Sequence, residues 1–470
     1  MLKTMTDFIA PESHITRSHA LQPWIDEARS LIRLALPLIV MQLAQMGSIT
    51  ADVIMVGVLG KEALAATSIG AVMFYFSWLG GYGPVAAVSP IVSQILGAHP
   101  DDRARVRAAV RMGLWAVGFI SLPLMTILIW AKPVLLALGQ EPAIVDVAAK
   151  WVHIVALGLP FTLGFGVLRN FASAIGKQTA VLAISVITLL FNIAMNYVLI
   201  YGHFGAPAMG VLGAAAASAM AYAFSFFAML AVILLAPGFR KYHLLHRFGR
   251  ADWAKFSEIF RLGAPMGMSM IFEAMLFNSA TLIMGTFGAA SVAANQIAMN
   301  VGSLTFMVPL GIGLAATVRV GLAAGARDAV GARRAGHTAM ICGAGFIMLC
   351  AVVIALIPEA LVALYIPVGA PASADVVPLA VSFLYIVAVF QLFDSLQVTG
   401  QMCLRGLKDA HAPMWIAGLS YWLVGFTLAW SLAFWADMQG LGVWIGLASG
   451  LAAAAFGMVL RFELLSRRAL

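Results

Sequence analysis

Helix-length apolar stretches recur along the whole of this 470-residue chain, and they leave few folds open. Each approaches the ~20 residues that an α-helix needs to cross a hydrocarbon core. The weaker ten-residue alternation of a membrane barrel is not the pattern here. Only 10% of the residues are charged against 62% hydrophobic, whereas a soluble domain carries about 25% charged residues. Twelve spans are predicted, near 33–57, 66–96, 107–131, 147–168, 178–201, 209–236, 259–286, 291–318, 335–357, 376–403, 413–435 and 441–464. The expected fold class is therefore all-α and integral to a membrane, with twelve transmembrane helices.

The net charge of +8 would admit a nucleic-acid partner, but its distribution argues for topology instead. With the N-terminus inside, every Lys and Arg except Lys61, Lys132 and Lys150 falls toward the cytoplasmic face. That is the positive-inside pattern, and it puts both termini in the cytoplasm. Residues 1–30 hold His14, Arg17, Asp26 and Glu27 without an apolar core, so a cytoplasmic tail is expected there, not a signal peptide. Cys342, Cys350 and Cys403 fall in or at the ends of spans without CxxC spacing, and read as small core residues.

A shift of 228 residues lays the first half of the chain on the second. Arg33, Leu34 and Pro37 meet Arg261, Leu262 and Pro265, and Gly97 and Arg105 meet Gly325 and Arg333. A shift of 232 continues the match, with Ile154-Val155-Ala156 on Ile386-Val387-Ala388 and Phe161 on Phe393. Two six-helix lobes follow, over 31–236 and 259–466, joined by a basic cytoplasmic linker at 237–258. Six is even, so both lobes enter from the same side and form a parallel repeat. Gly80-Gly81-Tyr82-Gly83-Pro84 overlays Val308-Pro309-Leu310-Gly311-Ile312. Such paired breaks suit irregular backbone lining a cavity, or close helix packing through small residues.

Three acids break the apolar silence. Glu273 is the only charge between Arg261 and Arg319, Asp52 the only one between Arg33 and Lys61, and Asp394 the only one between Asp375 and Arg405. A carboxylate at mid-bilayer costs about 2.5–3.5 kcal/mol, so packing alone does not explain it. The repeat does not carry these charges: Glu273 overlays Gln45, Asp52 overlays Ala280, and Asp394 overlays Thr162. Each lobe is therefore expected to have its own chemistry. Polar neighbours follow at helical spacing: Gln42, Gln45, Ser48 or Ile49, and Asp52; Gln391, Asp394, Gln397 and Gln401; Gln296, Asn300 and Ser303. For the amides, a cavity lining and interhelical hydrogen bonding both fit. The spans as drawn offer no Lys or Arg to pair with the acids. An unpaired buried carboxylate holds a proton or binds a cation, and an organic cation can compete for the same charge. Oxygen donors suit H⁺ or Na⁺, and nothing suits a transition metal. No phosphate loop, HExxH or GxSxG is present, so an enzyme is not expected, no cofactor is implied, and transport must run on a gradient.

These features resemble the multidrug and toxic compound extrusion (MATE) family, in its bacterial NorM-like branch. Asp52-Val53-Ile54-Met55-Val56-Gly57 resembles the family's first-helix aspartate motif, and Ala293-Ala294-Asn295-Gln296-Ile297-Ala298 its eighth-helix motif. Glu273 matches the seventh-helix glutamate, and Asp394 the tenth-helix aspartate that precedes Arg405-Gly406-Leu407-Lys408-Asp409. Asn192 and Asn196 match polar positions of the fifth helix, and Ser218 one of the sixth. Phe390 stands where some members place a tyrosine, one turn before the aspartate.

The resemblance implies a V-shaped two-lobe antiporter of the inner membrane, acting as a monomer among lipids. It would export hydrophobic or cationic drugs in exchange for Na⁺ or H⁺, without nucleic acid as a partner. Coupling would rest on Glu273, Asp394 and Asp52, with a site for Na⁺ at Glu273 and Asp394. Gln45, Asn192, Asn196, Ser218, Gln296, Asn300, Gln391 and Gln397 would support them. The rival is a lipid-linked oligosaccharide flippase of the same plan, disfavoured because its phosphate headgroup calls for basic residues in the cavity.

Overall fold

The computed structural model describes residues 17–366 and 374–468; the first sixteen residues of the expected tail, and part of the loop before span ten, lie outside the described residues. In the first lobe the helices are α1 (Arg17–Gly57), α2 (Lys61–Ala98), α3 (Arg103–Ile129), α4 (Pro142–Ala156), α5 (Leu159–Ala174), α6 (Gln178–Tyr201) and α7 (Val211–Leu235). The second lobe has α8 (Trp253–Thr286), α9 (Ala289–Gly325), α10 (Ala329–Leu356), α11 (Val376–Gly406), α12 (His411–Gly418) and α13 (Gln439–Arg468). Aspartates start several of these helices by accepting orphan backbone N–H groups: Asp102 from Arg105 (2.9 Å), Asp252 from Lys255 (3.1 Å) and Asp328 from Gly331 (2.8 Å).

Eleven helices among the described residues are long and apolar enough to cross a membrane, and a bent pair makes twelve. The bent pair is α4 and α5, which meet at 44°. Pro160 lies just past the break, where a proline removes a helical donor and crowds the preceding turn. Under the 232-residue shift Pro160 overlays Leu392, and α11 runs unbroken. Span eleven also departs from plain α geometry. After α12 the chain winds in wide π turns over Leu419–Phe426 and Ser431–Trp435, a form concentrated at functional sites.

The lobes meet through α1, α2, α8 and α9, and the contact repeats itself. Gly97 on α2 sits against the carbonyl of Leu322 on α9, and Gly325 on α9 sits against the carbonyl of Gln94 on α2. Gly83 packs on Gly263 and Gly267 of α8, while Gly311 packs on Ile39 of α1. Each pair maps onto the other under the 228-residue shift, as a two-fold axis along the membrane normal requires. Gly83, Gly97, Gly263, Gly311 and Gly325 have no room for a Cβ, so the helices approach backbone to backbone. This resolves the two readings of Gly80–Pro84: α2 stays helical through it, and its glycines serve close packing. These contacts lie in the halves of the helices nearest the linker. An ion pair closes the same face, with Arg319 of α9 donating to both carboxylate oxygens of Glu27 on α1 at 2.8 and 2.5 Å.

Candidate functional site

In the first lobe, α1 presents Gln45, Ser48, Ile49 and Asp52 at helical spacing to one cavity of about 130 Å³. Asp52 is held there by two donors from facing helices. Asn196 Nδ2 on α6 donates to Oδ1 at 2.5 Å, and Ser218 Oγ on α7 donates to Oδ2 at 3.1 Å. Asn196 also reaches the Asn192 side-chain oxygen at 3.4 Å. The structure thus brings Asp52, Gln45, Asn192, Asn196 and Ser218 together. Charge-assisted bonds of this kind hold the carboxylate in place, each worth about 1.5–3 kcal/mol when buried.

The opposite end of the cavity is basic. Arg169 on α5 is 8% exposed, and its Nη2 donates to the Tyr82 hydroxyl at 2.5 Å. Tyr82 stacks on Trp78 at 4.7 Å between centroids, forming an aromatic wall beside the guanidinium. Arg169 makes no ion pair with a carboxylate among the described residues. The cavity spans Met41 to Asp52 on α1, eleven residue steps, and so extends about 16 Å along the helix axis. It is bipolar over that length.

In the second lobe, Asp394 is 7% exposed on α11, and its Oδ1 has no hydrogen-bond partner among the described residues. Glu273 stands on α8 of the same lobe, half-buried, and forms no hydrogen bond or ion pair with Asp394 among the described residues. Around Asp394 the polar supply is incomplete. Gln397 is fully buried with both amide atoms unpartnered, and Gln391 accepts from Thr305 at 2.9 Å but leaves its Nε2 free. Tyr421, fully buried in the first π segment, aims a hydroxyl without a partner into the field of both acids. Buried polar groups this poorly satisfied are rare unless something else completes them.

Arg405 corrects the expectation that no base lies within the spans, although it makes no ion pair with either acid among the described residues. It is 4% exposed near the end of α11, bonds Gln401 Oε1 at 3.2 Å, and its charge reaches Glu273. Arg169 overturns the matching expectation that the cavity holds no base. Both helices run past the spans drawn for them, so residues assigned to the membrane edge lie inside the protein.

Gln296 and Asn300 are not brought to the acids. Gln296 is exposed, and Asn300 donates to the backbone carbonyl of Gln296 on its own helix at 2.9 Å. The buried amide of that motif is the neighbouring Asn295. Tyr421 was missed as well. Its only signal was a tyrosine in an otherwise apolar span. No cluster of three or more His, Cys, Asp or Glu side chains that could hold a metal forms among the described residues.

Comparison with known proteins follows the same outline. The MatE family model matches residues 37–198 and again 265–431, two matches beginning 228 residues apart. A probable multidrug resistance protein NorM of Mesorhizobium japonicum is 40% identical over 442 residues, covering 93% of this chain and 94% of its own length. Its counterpart in Pseudomonas aeruginosa is 41% identical, covering 94% and 90%. The eukaryotic MATE transporter AtDTX14 superposes with a TM-score of 0.84 at 21% identity, over 95% of this chain and 98% of its own. The chain belongs to the MatE family, the MATE/NorM multidrug efflux transporters.

Proposed function

We propose that this protein is a secondary antiporter of the inner membrane, with both termini cytoplasmic, that expels hydrophobic organic cations in exchange for Na⁺ or H⁺. The observation that carries this reading is Asp394, a buried carboxylate without a hydrogen-bond donor on Oδ1, in the same lobe as Glu273. With Arg405 in the same field, the cluster carries a net charge of −1 when both acids are ionised. One monovalent cation brings it to zero, and a like-charge pair in low dielectric favours that strongly. Energy reaches the substrate only if the ion binds two conformations with different affinity. Asp52, in the other lobe, would act as a separate site, where the amide and hydroxyl shell receives the cationic end of a substrate. A monomer is sufficient for this scheme, because both sites lie within one chain.

The test is efflux of a cationic dye from vesicles under an imposed Na⁺ gradient or an imposed pH gradient, each alone. Wild-type protein should respond to one of them. Glu273→Gln and Asp394→Asn should reach wild-type abundance, since losing a charge eases insertion, yet lose gradient-driven efflux by tenfold or more. Asp52→Asn should impair efflux while leaving ion binding in the second lobe. Full efflux in Glu273→Gln at equal abundance would overturn the mechanism. Arg169 favours the flippase reading enough to keep it as the rival, and export of the dye without a lipid-linked sugar separates the two.

A further inference from the structure

Apart from the first-lobe cavity, a second cavity of about 440 Å³ opens on the linker face between the start of α3, the linker and the start of α8. Arg107 and Arg111 of α3 and Arg247 and Arg250 of the linker line it, with Asp252 as the one acid. None of the four arginines forms an ion pair among the described residues, and the Asp252 carboxylate caps α8. Their charges converge, since Arg107 and Arg250 both act on Arg111. Arg111 is the fixed member. It is 6% exposed, donates through Nη1 to the backbone carbonyl of Arg247 at 3.0 Å, and leaves its buried Nε without a partner. To offer that carbonyl, Arg247 takes a left-handed backbone with φ of 54°, a strained conformation for a side chain of this size. A cavity with net charge +3 and unused guanidinium donors is built for an oxyanion, and guanidinium forks match phosphate bidentately.

The surroundings say how the phosphate arrives. Trp253 lines the cavity and is 67% exposed in the first turn of α8. Its ring meets Phe256 at 5.7 Å, and Phe256 and Phe260 meet Phe119 of α3 at 6.0 and 6.2 Å. Phe119 is 66% exposed and lies two turns further from the linker face. An aromatic, outward-facing strip therefore runs from the basic cavity along the apolar flank of α3 and α8. We propose that this cavity binds the phosphate of an anionic phospholipid, whose acyl chains lie along Phe119, Phe256 and Phe260. Basic cavities between helices at the cytoplasmic level commonly take such headgroups. Occupancy would bridge α3 of the first lobe, the linker and α8 of the second, at the place where the lobes join.

The test is native mass spectrometry of the intact protein in neutral detergent, offered phosphatidylglycerol, phosphatidylcholine with the same chains, or inorganic phosphate. Wild-type protein should retain phosphatidylglycerol over phosphatidylcholine by roughly tenfold. Arg107→Gln combined with Arg250→Gln should lose that preference, and the double Lys variant should recover part of it. Melting in detergent alone should be alike in all three proteins, which separates lost binding from misfolding. Equal retention by wild-type and double Gln proteins would overturn the proposal. Binding of inorganic phosphate without a preference for the anionic lipid would overturn the lipid as its source.

Discussion

In the proposed coupling scheme, buried Arg405 offsets one of the two acid charges, so its removal has a direction that can be worked out. Arg405→Gln removes the guanidinium and leaves Glu273 and Asp394 without that offsetting charge. The cluster then carries −2 when ionised and holds a cation more tightly. The half-saturating ion concentration for efflux should fall severalfold, and the maximal rate should fall too, because release slows. Initial rates against ion concentration at matched abundance test this, and an unchanged half-saturation would remove Arg405 from the site. The acids themselves were legible in the sequence, because a lone charge in an apolar span has few bland explanations. Arg169 and Arg405 were not, since a base near a span end looks like a topology signal until neighbouring helices bury it. Tyr421 was hidden for a different reason. A π turn changes which residues face inward, and no simple helical spacing anticipates it.

At the scale of elements, the duplicated glycines make a prediction that only a repeat can make. Gly97 and Gly325 occupy equivalent places in a reciprocal contact between α2 and α9, each against the other helix's backbone. Gly97→Val and Gly325→Val should therefore give matching losses of efflux. Forcing a side chain into either contact costs about 1–3 kcal/mol by overpacking. Dye efflux and abundance measured side by side would decide it, and a strong effect from only one of the two would break the symmetry argument. The repeat, the span count and the lobes were legible because a constant shift and a constant helix length survive in the residues. The bend between α4 and α5 was not: it follows from Pro160, a local departure that the overlay treats as one mismatch among many.

In the proposed antiport cycle the linker face must open, and every contact that closes it opposes that step. Most are apolar or backbone contacts, but the Arg319–Glu27 pair is ionic, bidentate and spans the two lobes. Nothing in the sequence joins these two residues, which are 292 positions apart and read there only as charges on the basic side. Because both remain partly exposed, the pair is worth about 1 kcal/mol, enough to shift a two-state population roughly fivefold. Glu27→Gln should therefore enrich the state in which the linker face is open. Spin labels on cysteines replacing His99 and Arg327, beyond the ends of α2 and α9, would report it as growth of the longer distance. Exchanging the charges, with Glu27→Arg and Arg319→Glu together, should restore the original distribution if the attraction between the lobes is what matters. An unaltered distance distribution in Glu27→Gln would mean that the glycine contacts alone hold the face shut, and that the ion pair merely decorates a closure already made by backbone packing.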